Sequence, residues 1–310
     1  MHTPQHTPQH TPHSWGLQRW RVGALCCLLL GAGVAPLRAQ AQDAATLQAR
    51  HAALGEALAN NAFARPLVLE SSEGAGQLKG DIYARIEQPF ARLAPALQGG
   101  EHWCEILILH LNVKQCRAST AASGETLSLV VGQKFDQPLA EAYRIDFAYR
   151  VITSRSDYQQ IALEAEAGPL GTSRYRIAVE AVAIDSARSF LHLSYSYNQG
   201  LAARMAMQAY LATLGRAKVG FSIVGRHADG APLYVGNLRG VIERNTMRYY
   251  LAIEAYLGAL DTPPTQRLAK RLNDWHIGVE RYPAQLHELE RSQYLELKRD
   301  QLLAQQASGG

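Results

Sequence analysis

The most regular pattern lies mid-chain, where apolar and polar positions alternate with a period of two. Over 143–153, Tyr143, Ile145, Phe147, Tyr149 and Val151 take one face, and Arg144, Asp146, Ala148 and Arg150 take the other. That is the signature of a strand with one buried side. Similar runs at 126–132, 158–167, 174–185 and 189–197 are joined by short turns, including Gly168-Pro169-Leu170-Gly171. Together they predict an antiparallel sheet. Upstream, Ile82, Ala84 and Ile86 alternate with Asp81, Tyr83, Arg85 and Glu87. With the extended stretch 67–70 and a turn at 73–76, this segment predicts a hairpin.

Elsewhere the period is helical. Residues 44–60 are rich in Ala, Leu, Gln and Glu and predict a first helix. Pro89 suits a helix start, with Phe90, Leu93 and Leu97 at helical spacing and Gly99-Gly100 as the stop. The apolar run 102–111 predicts a second short helix leading into a strand at 112–117. Residues 201–214 are apolar on nearly every side, which suits either a core helix or an external apolar contact. Two short strands at 218–224 and 233–235 flank Ala228-Asp229-Gly230. A long helix is expected over 238–260, with Asn237 as N-cap and Leu238, Ile242, Tyr249, Ile253, Tyr256 and Leu260 on one face. Arg239, Glu243 and Glu254 mark a polar stripe on that helix, and Thr262-Pro263-Pro264 ends it. Residues 261–310 then read as a charged helical tail that packs on the main domain or on a partner.

This order of elements gives an α+β chain in which a curved antiparallel sheet wraps a long C-terminal helix, with extra flanking helices. The chain here resembles the START-like, or SRPBCC, group. Residues 80–90, Gly-Asp-Ile-Tyr-Ala-Arg-Ile-Glu-Gln-Pro-Phe, are similar to that group's first strand and first helix. Residues 189–197 are similar to a late strand, and 239–260 resemble the gripping helix. The resemblance spans about 66–260, with 42–65 as a separate N-terminal helix, and it implies a helix-grip fold. It also implies an apolar gap between sheet and helix that holds a lipid or other hydrophobic molecule, in some members with catalysis. The helix at 201–214 departs from the minimal pattern.

Composition is globular: 47% hydrophobic and 19% charged over 310 residues. The formal charge is +4, but Arg19, Arg21 and Arg38 lie in the first 41 residues, which hold no acid. The remainder is close to neutral, so nothing marks a nucleic-acid surface. Residues 1–13 form an imperfect His-Thr-Pro-Gln repeat. Arg19-Trp20-Arg21, an apolar run over 22–35 and Ala39-Gln40-Ala41 follow in the order of a secretory signal peptide, cleaved after Ala41. The apolar run is too short for a helix spanning a ~30 Å hydrocarbon core. Cys26 and Cys27 sit inside the run, away from the cleavage site, which argues against a lipid anchor. The expected location is the periplasm.

In that oxidising compartment Cys104 and Cys116, twelve positions apart, are expected to pair. The rival is a metal site from His102, Cys104, Glu105, His110 and Cys116, whose spacing matches no finger or ribbon. The candidate ligand-binding residues are Tyr149, His192, Tyr195, Arg244 and Tyr249. His192 lies mid-strand between leucines, as His110 lies in an apolar run; either suits a base or a ligand contact, or a satisfied core hydrogen bond. Tyr149, Tyr195 and Tyr197 pair apolar rings with hydroxyls. Among Arg244, Asn245 and Arg248, one suits an anionic head group, against the alternative of a solvated stripe. No nucleophile elbow, zinc-protease or phosphate-loop motif occurs, and no cofactor is called for. Three readings follow: a binding or transfer protein for a hydrophobic molecule or lipid, an envelope scaffold using 201–214 or the tail as a peripheral membrane or protein contact, and a cyclase- or hydrolase-like enzyme using the same gap.

Overall fold

A computed structural model describes residues 43–74, 76–134, 137–213 and 215–307. The leader pattern at 1–41 lies outside these described residues. The described chain opens with α1 (Ala44–Ala53) and α2 (Gly55–Ala59). The Asp43 carboxylate caps α1 by accepting from the Thr46 N–H at 2.8 Å. A hairpin of β1 (Leu67–Gly74) and β2 (Gln77–Ile86) follows, then α3 (Phe90–Leu97) and α4 (Gly100–Leu107). The strands β3 (Val113–Ala121), β4 (Gly124–Val131), β5 (Tyr143–Ser154), β6 (Tyr158–Ala167), β7 (Thr172–Ala183) and β8 (Ser189–Gln199) run consecutively.

These strands form one antiparallel sheet in the order β1-β2-β8-β7-β6-β5-β4-β3. The last strand of the run thus returns beside the opening hairpin, with Tyr83 opposite His192 and Gly80 opposite Tyr195. After β8 come α5 (Leu201–Ala212), the small hairpin β9 (Ile223–Arg226) and β10 (Pro232–Tyr234), and the long helix α6 (Asn237–Leu257). Helix α6 lies over β1, β2 and β8 and packs against α4. The architecture is α+β of the helix-grip kind.

Each side of the central strands has its own core. Ile82, Ala84, Ile161, Val179, Leu191 and Leu193 belong to the main core, together with Ile242, Ile253 and Tyr256 of α6. The alternate positions Tyr83, Tyr158, Val182 and Phe190 pack with Leu47 of α1, Leu54 between the helices and Leu58 of α2 on the outer face. On the inner side, Gly80 admits α6: a Cβ there would stand 2.3 Å from Thr246 Oγ1. At the double glycine, Gly99 has φ +107 and Gly100 would set a Cβ 2.4 Å from Glu125 Oε1. These glycines let α4 begin directly against the sheet, with the Gly99 N–H on Tyr149 Oη (2.7 Å) and the Gly100 N–H on Glu125 Oε1 (2.8 Å).

The C-terminal segment adds α7 (Pro264–Glu280), α8 (Pro283–Leu286) and α9 (Arg291–Ala307). Most of its charged side chains are at least partly exposed, Arg271 and Lys298 excepted, while Leu272, Trp275, Leu286 and Tyr294 enter the main core. Trp275 and Tyr294 stack at 4.9 Å, and Tyr294 Oη donates to the Leu109 carbonyl at 2.9 Å. Lys298 is fully buried and donates to the carbonyls of His110 and Val113, each at 2.8 Å. Cys104 of α4 and Cys116 of β3 form a disulfide, which consumes both thiols of the rival metal set.

Two local expectations change. Asn237 does not cap α6; it is the first helical residue, at φ +51, and Gly236 holds the cap position without a side-chain bond. Glu243 is not on a solvated stripe but fully buried. Its carboxylate accepts from the N–H groups of Phe221 (2.6 Å) and Ser222 (2.9 Å) and from the hydroxyls of Ser71 and Ser222. Burial of this charge is offset by four donors that tie α6 to β1 and to the segment before β9.

Candidate functional site

The inner face of the sheet carries a layer of aromatic side chains beside α6. Tyr175 of β7 and Tyr195 and Tyr197 of β8 belong there because they share the parity of Ile177, Val179 and Leu193. Tyr175 and Tyr197 stack at 5.1 Å, and Phe147 of β5 meets Tyr175 edge-on at 6.3 Å. From α6, Tyr249 meets Tyr195 edge-on at 5.0 Å. His110 closes the group, 4.9 Å from the Tyr249 ring. Tyr195 and Tyr197 are buried, yet Tyr175 and Tyr249 keep part of their surface accessible, as does Asn245 one turn before Tyr249. The layer is therefore aromatic, edged with hydroxyls, and not sealed.

Burial sets the protonation here. The Tyr195 phenol is held well above its ordinary range by burial and by its tyrosine neighbours. His110 is driven well below the ordinary histidine range by burial, then by the charges of Arg248, Lys298 and Lys134. Its Nδ1 accepts from the Asn112 N–H at 3.1 Å, so the neutral ring carries its proton on Nε2. That Nε2 is buried without a hydrogen-bond partner.

The five residues expected to bind ligand divide. Tyr195 and Tyr249 come together in the aromatic layer. Tyr149 is on the same face, but its hydroxyl is taken by the Gly99 N–H. Arg244 is buried rather than on an outer stripe and donates to the Val219 carbonyl at 3.0 Å. His192 does not join them. It sits on the outer face, opposite Glu180 and Tyr83 and on the side packed by α1.

His192 is instead the centre of a second polar cluster. Its Nδ1 lies 2.8 Å from Glu180 Oε2 and its Nε2 2.9 Å from Asp81 Oδ1. Tyr158 donates to the other Glu180 oxygen at 2.5 Å, and Lys79 pairs with the other Asp81 oxygen at 2.8 Å. Tyr83 stacks flat on the imidazole at 4.3 Å, and the Arg50 guanidinium lies 4.7 Å over Tyr83. Burial alone would lower His192, but the two carboxylate bonds outweigh it and raise its pKa above the ordinary value. Both ring nitrogens are engaged, so this histidine is a held imidazolium rather than a base open to substrate.

The sequence reading missed Lys134, Lys218 and Glu288, which meet near His110 and Arg248. Lys218 pairs with Glu288 at 3.0 Å, Arg248 pairs with it at 2.9 Å, and Lys134 pairs with it as well. Lys134 lies 154 positions from Glu288, and no local pattern announces such a meeting.

No protein-family model and no curated protein sequence matches the chain. Solved structures do resemble it. A START-superfamily protein from Mycobacterium smegmatis aligns at 12% identity over 48% of this chain and 89% of its own, with a TM-score of 0.31. The Zhui aromatase/cyclase from Streptomyces sp. R1128 aligns at 13% identity over 59% and 92%, with a TM-score of 0.34. Norcoclaurine synthase from Thalictrum flavum aligns at 10% identity over 46% and 87%, with a TM-score of 0.31.

Proposed function

We propose that this protein binds a hydrophobic small molecule or lipid between the sheet and α6, in an exported, periplasmic setting. The observation that carries the reading is the aromatic layer. Tyr175 and Tyr249 keep accessible surface although they sit between sheet and helix. Sites for small molecules combine mostly apolar walls with a few orienting polar groups, and this layer offers rings with hydroxyls and one imidazole. Export is supported by the leader pattern over 19–41 and by the use of a disulfide in a chain with two cysteines beyond the leader.

The test is native mass spectrometry of freshly purified protein. A copurified small molecule is expected, and Tyr249→Trp, which adds bulk to the aromatic layer, should release it. Repeatedly clean apo spectra would overturn the reading. Cell fractionation with the leader intact and deleted tests export, with loss of the periplasmic pool expected on deletion.

A second reading has one observation of its own. Leu170 (66% exposed), Leu201 (76%) and Met205 (61%) lie where α5 meets the turn before β7. Such a cluster suits a peripheral contact with a membrane or an envelope protein. Cosedimentation with anionic vesicles that is lost in Leu201→Ser/Met205→Ser would support it, and no cosedimentation of the intact chain would remove the membrane version.

A further inference from the structure

We infer that the molecule held in the grip is an amphipathic anion, whose carboxylate, phosphate or sulfonate head meets Lys134, Lys218 and Arg248 while its apolar body lies on the tyrosine layer. The inference rests on the reading of the grip as a ligand site and adds the ligand's charge to it.

Charge bookkeeping carries the first step. Among the described residues, one carboxylate, Glu288, serves three cations: Lys134, Lys218 and Arg248. The neighbouring acids Glu280 and Glu290 face His287 instead. A cluster with two cations in excess is costly away from water unless another anion joins it. The lysine side chains are about a third accessible (29% and 31%), and Arg248 is 1% accessible. The cluster is thus reachable from outside and dry at its base. Lys134 is lowered to about 8, by burial first and then by the Arg248 charge, with Lys218 adding to it against the opposing pull of Glu288.

Unfilled donors carry the second step. Arg248 gives one nitrogen to the Leu286 carbonyl and Glu288, but its Nε is buried with no partner. His110 Nε2 is buried with no partner as well. Buried donors in native proteins are nearly always paired, so two orphans within one cluster point to an acceptor that binds there.

Position carries the third step. Arg248 precedes Tyr249 on α6, and His110 touches the Tyr249 ring while feeling the charges of Arg248 and Lys134. His110 is therefore the link between the aromatic layer, which it touches at Tyr249, and the charges of Arg248 and Lys134. A molecule spanning both needs an anionic head on an apolar, ring-compatible body.

Two probes of similar body separate the possibilities: anilinonaphthalene sulfonate, which is anionic, and N-phenylnaphthylamine, which is neutral. Both are titrated by fluorescence into the full-length purified protein. The anion should bind about tenfold or more tightly, the scale of a charge-assisted hydrogen bond. Lys134→Met/Lys218→Met should bring the anion down to the neutral probe's affinity and leave the neutral probe unchanged. Lys218→Gln alone, which leaves two cations on Glu288, should remove part of the preference and serves if the double variant does not fold. Equal affinities in the unaltered protein overturn the anion inference while keeping the grip as a site. Equal loss of both probes in variants that melt normally also overturns it. Binding of neither probe overturns the grip reading and this inference with it.

Discussion

The side-chain amide of Gln305 treats Cys116 as a neighbouring strand would: Oε1 accepts from the Cys116 N–H at 3.0 Å, and Nε2 donates to the Cys116 carbonyl at 2.9 Å. Cys116 lies on β3, the terminal strand of the sheet. An uncovered edge presents unpaired backbone groups to any passing strand. Helix α9 therefore finishes the sheet as well as covering it. Gln305→Ala should cost about 1–2 kcal/mol, since two partly buried hydrogen bonds are lost. Hydrogen exchange resolved to Cys116 should show that amide exchanging faster while the inner strands stay unchanged. Unchanged exchange at Cys116 would show that Gln305 is not its protector.

The same residue bears the disulfide to Cys104, so α4, β3 and α9 converge at Cys116. Closing a loop of 12 positions in the unfolded chain is worth about 3 kcal/mol on the chain-entropy estimate. Cys104→Ala/Cys116→Ala should lower the denaturation midpoint by that order, and reductant should lower the midpoint of the unaltered protein but not of the variant. A reductant effect that persists in the variant would place the effect elsewhere.

Much of the fold was legible because each strand buries a face against a core. The run 158–167 coincides with β6, and the alternation of 143–153 coincides with most of β5. The site was harder to read, for a physical reason. The central strands are packed on both sides, so alternation separates two faces without naming which one faces α6. Leu191 and Leu193 face it, and His192 between them faces α1. Tyr195 and Tyr249 were legible as rings carrying hydroxyls, but not as neighbours in one layer. Glu243 was not, because a glutamate on a helix face reads as solvated until its four donors are seen. The Lys134, Lys218, Arg248 and Glu288 meeting is purely tertiary and had no local signal.

The outer cluster predicts a pH dependence with two limits. His192 has its folded pKa raised above the ordinary histidine value of 6.5, so its stabilisation is complete below that value and is lost as pH rises through the folded pKa. Asp81 has its folded pKa lowered from 3.8: burial alone would raise it, but the bonds from His192 and Lys79 outweigh that. Its stabilisation is present above 3.8 and is lost as pH falls through the folded pKa. Urea midpoints should therefore decline on the alkaline side, and His192→Gln should flatten that decline. The substitution itself should cost about 3 kcal/mol at pH 6, because Asp81 and Glu180 lose the cation between them. Parallel alkaline limbs in the two proteins would mean that His192 is not the titrating group.

The seating of α6 against β2 yields the last prediction, and it concerns the grip directly. Gly80 stands opposite Tyr195 in the sheet and directly beneath Thr246, whose hydroxyl is held by the Ile242 carbonyl at 2.8 Å. A methyl at position 80 would meet that hydroxyl at 2.3 Å and the Thr246 Cβ at 3.1 Å, so helix or strand must shift. Overpacking of this kind costs about 1–3 kcal/mol. Gly80→Ala should lower the melting temperature and lift α6 away from β2. Gly80→Ala/Thr246→Ala removes the hydroxyl at 2.3 Å, leaves only the tighter-than-usual Cβ contact at 3.1 Å, and should recover most of the loss. Because α6 also carries Tyr249, the single variant should change probe binding at the aromatic layer and the double variant should restore it. Recovery of stability without recovery of binding would show that the layer does not depend on how closely α6 is seated.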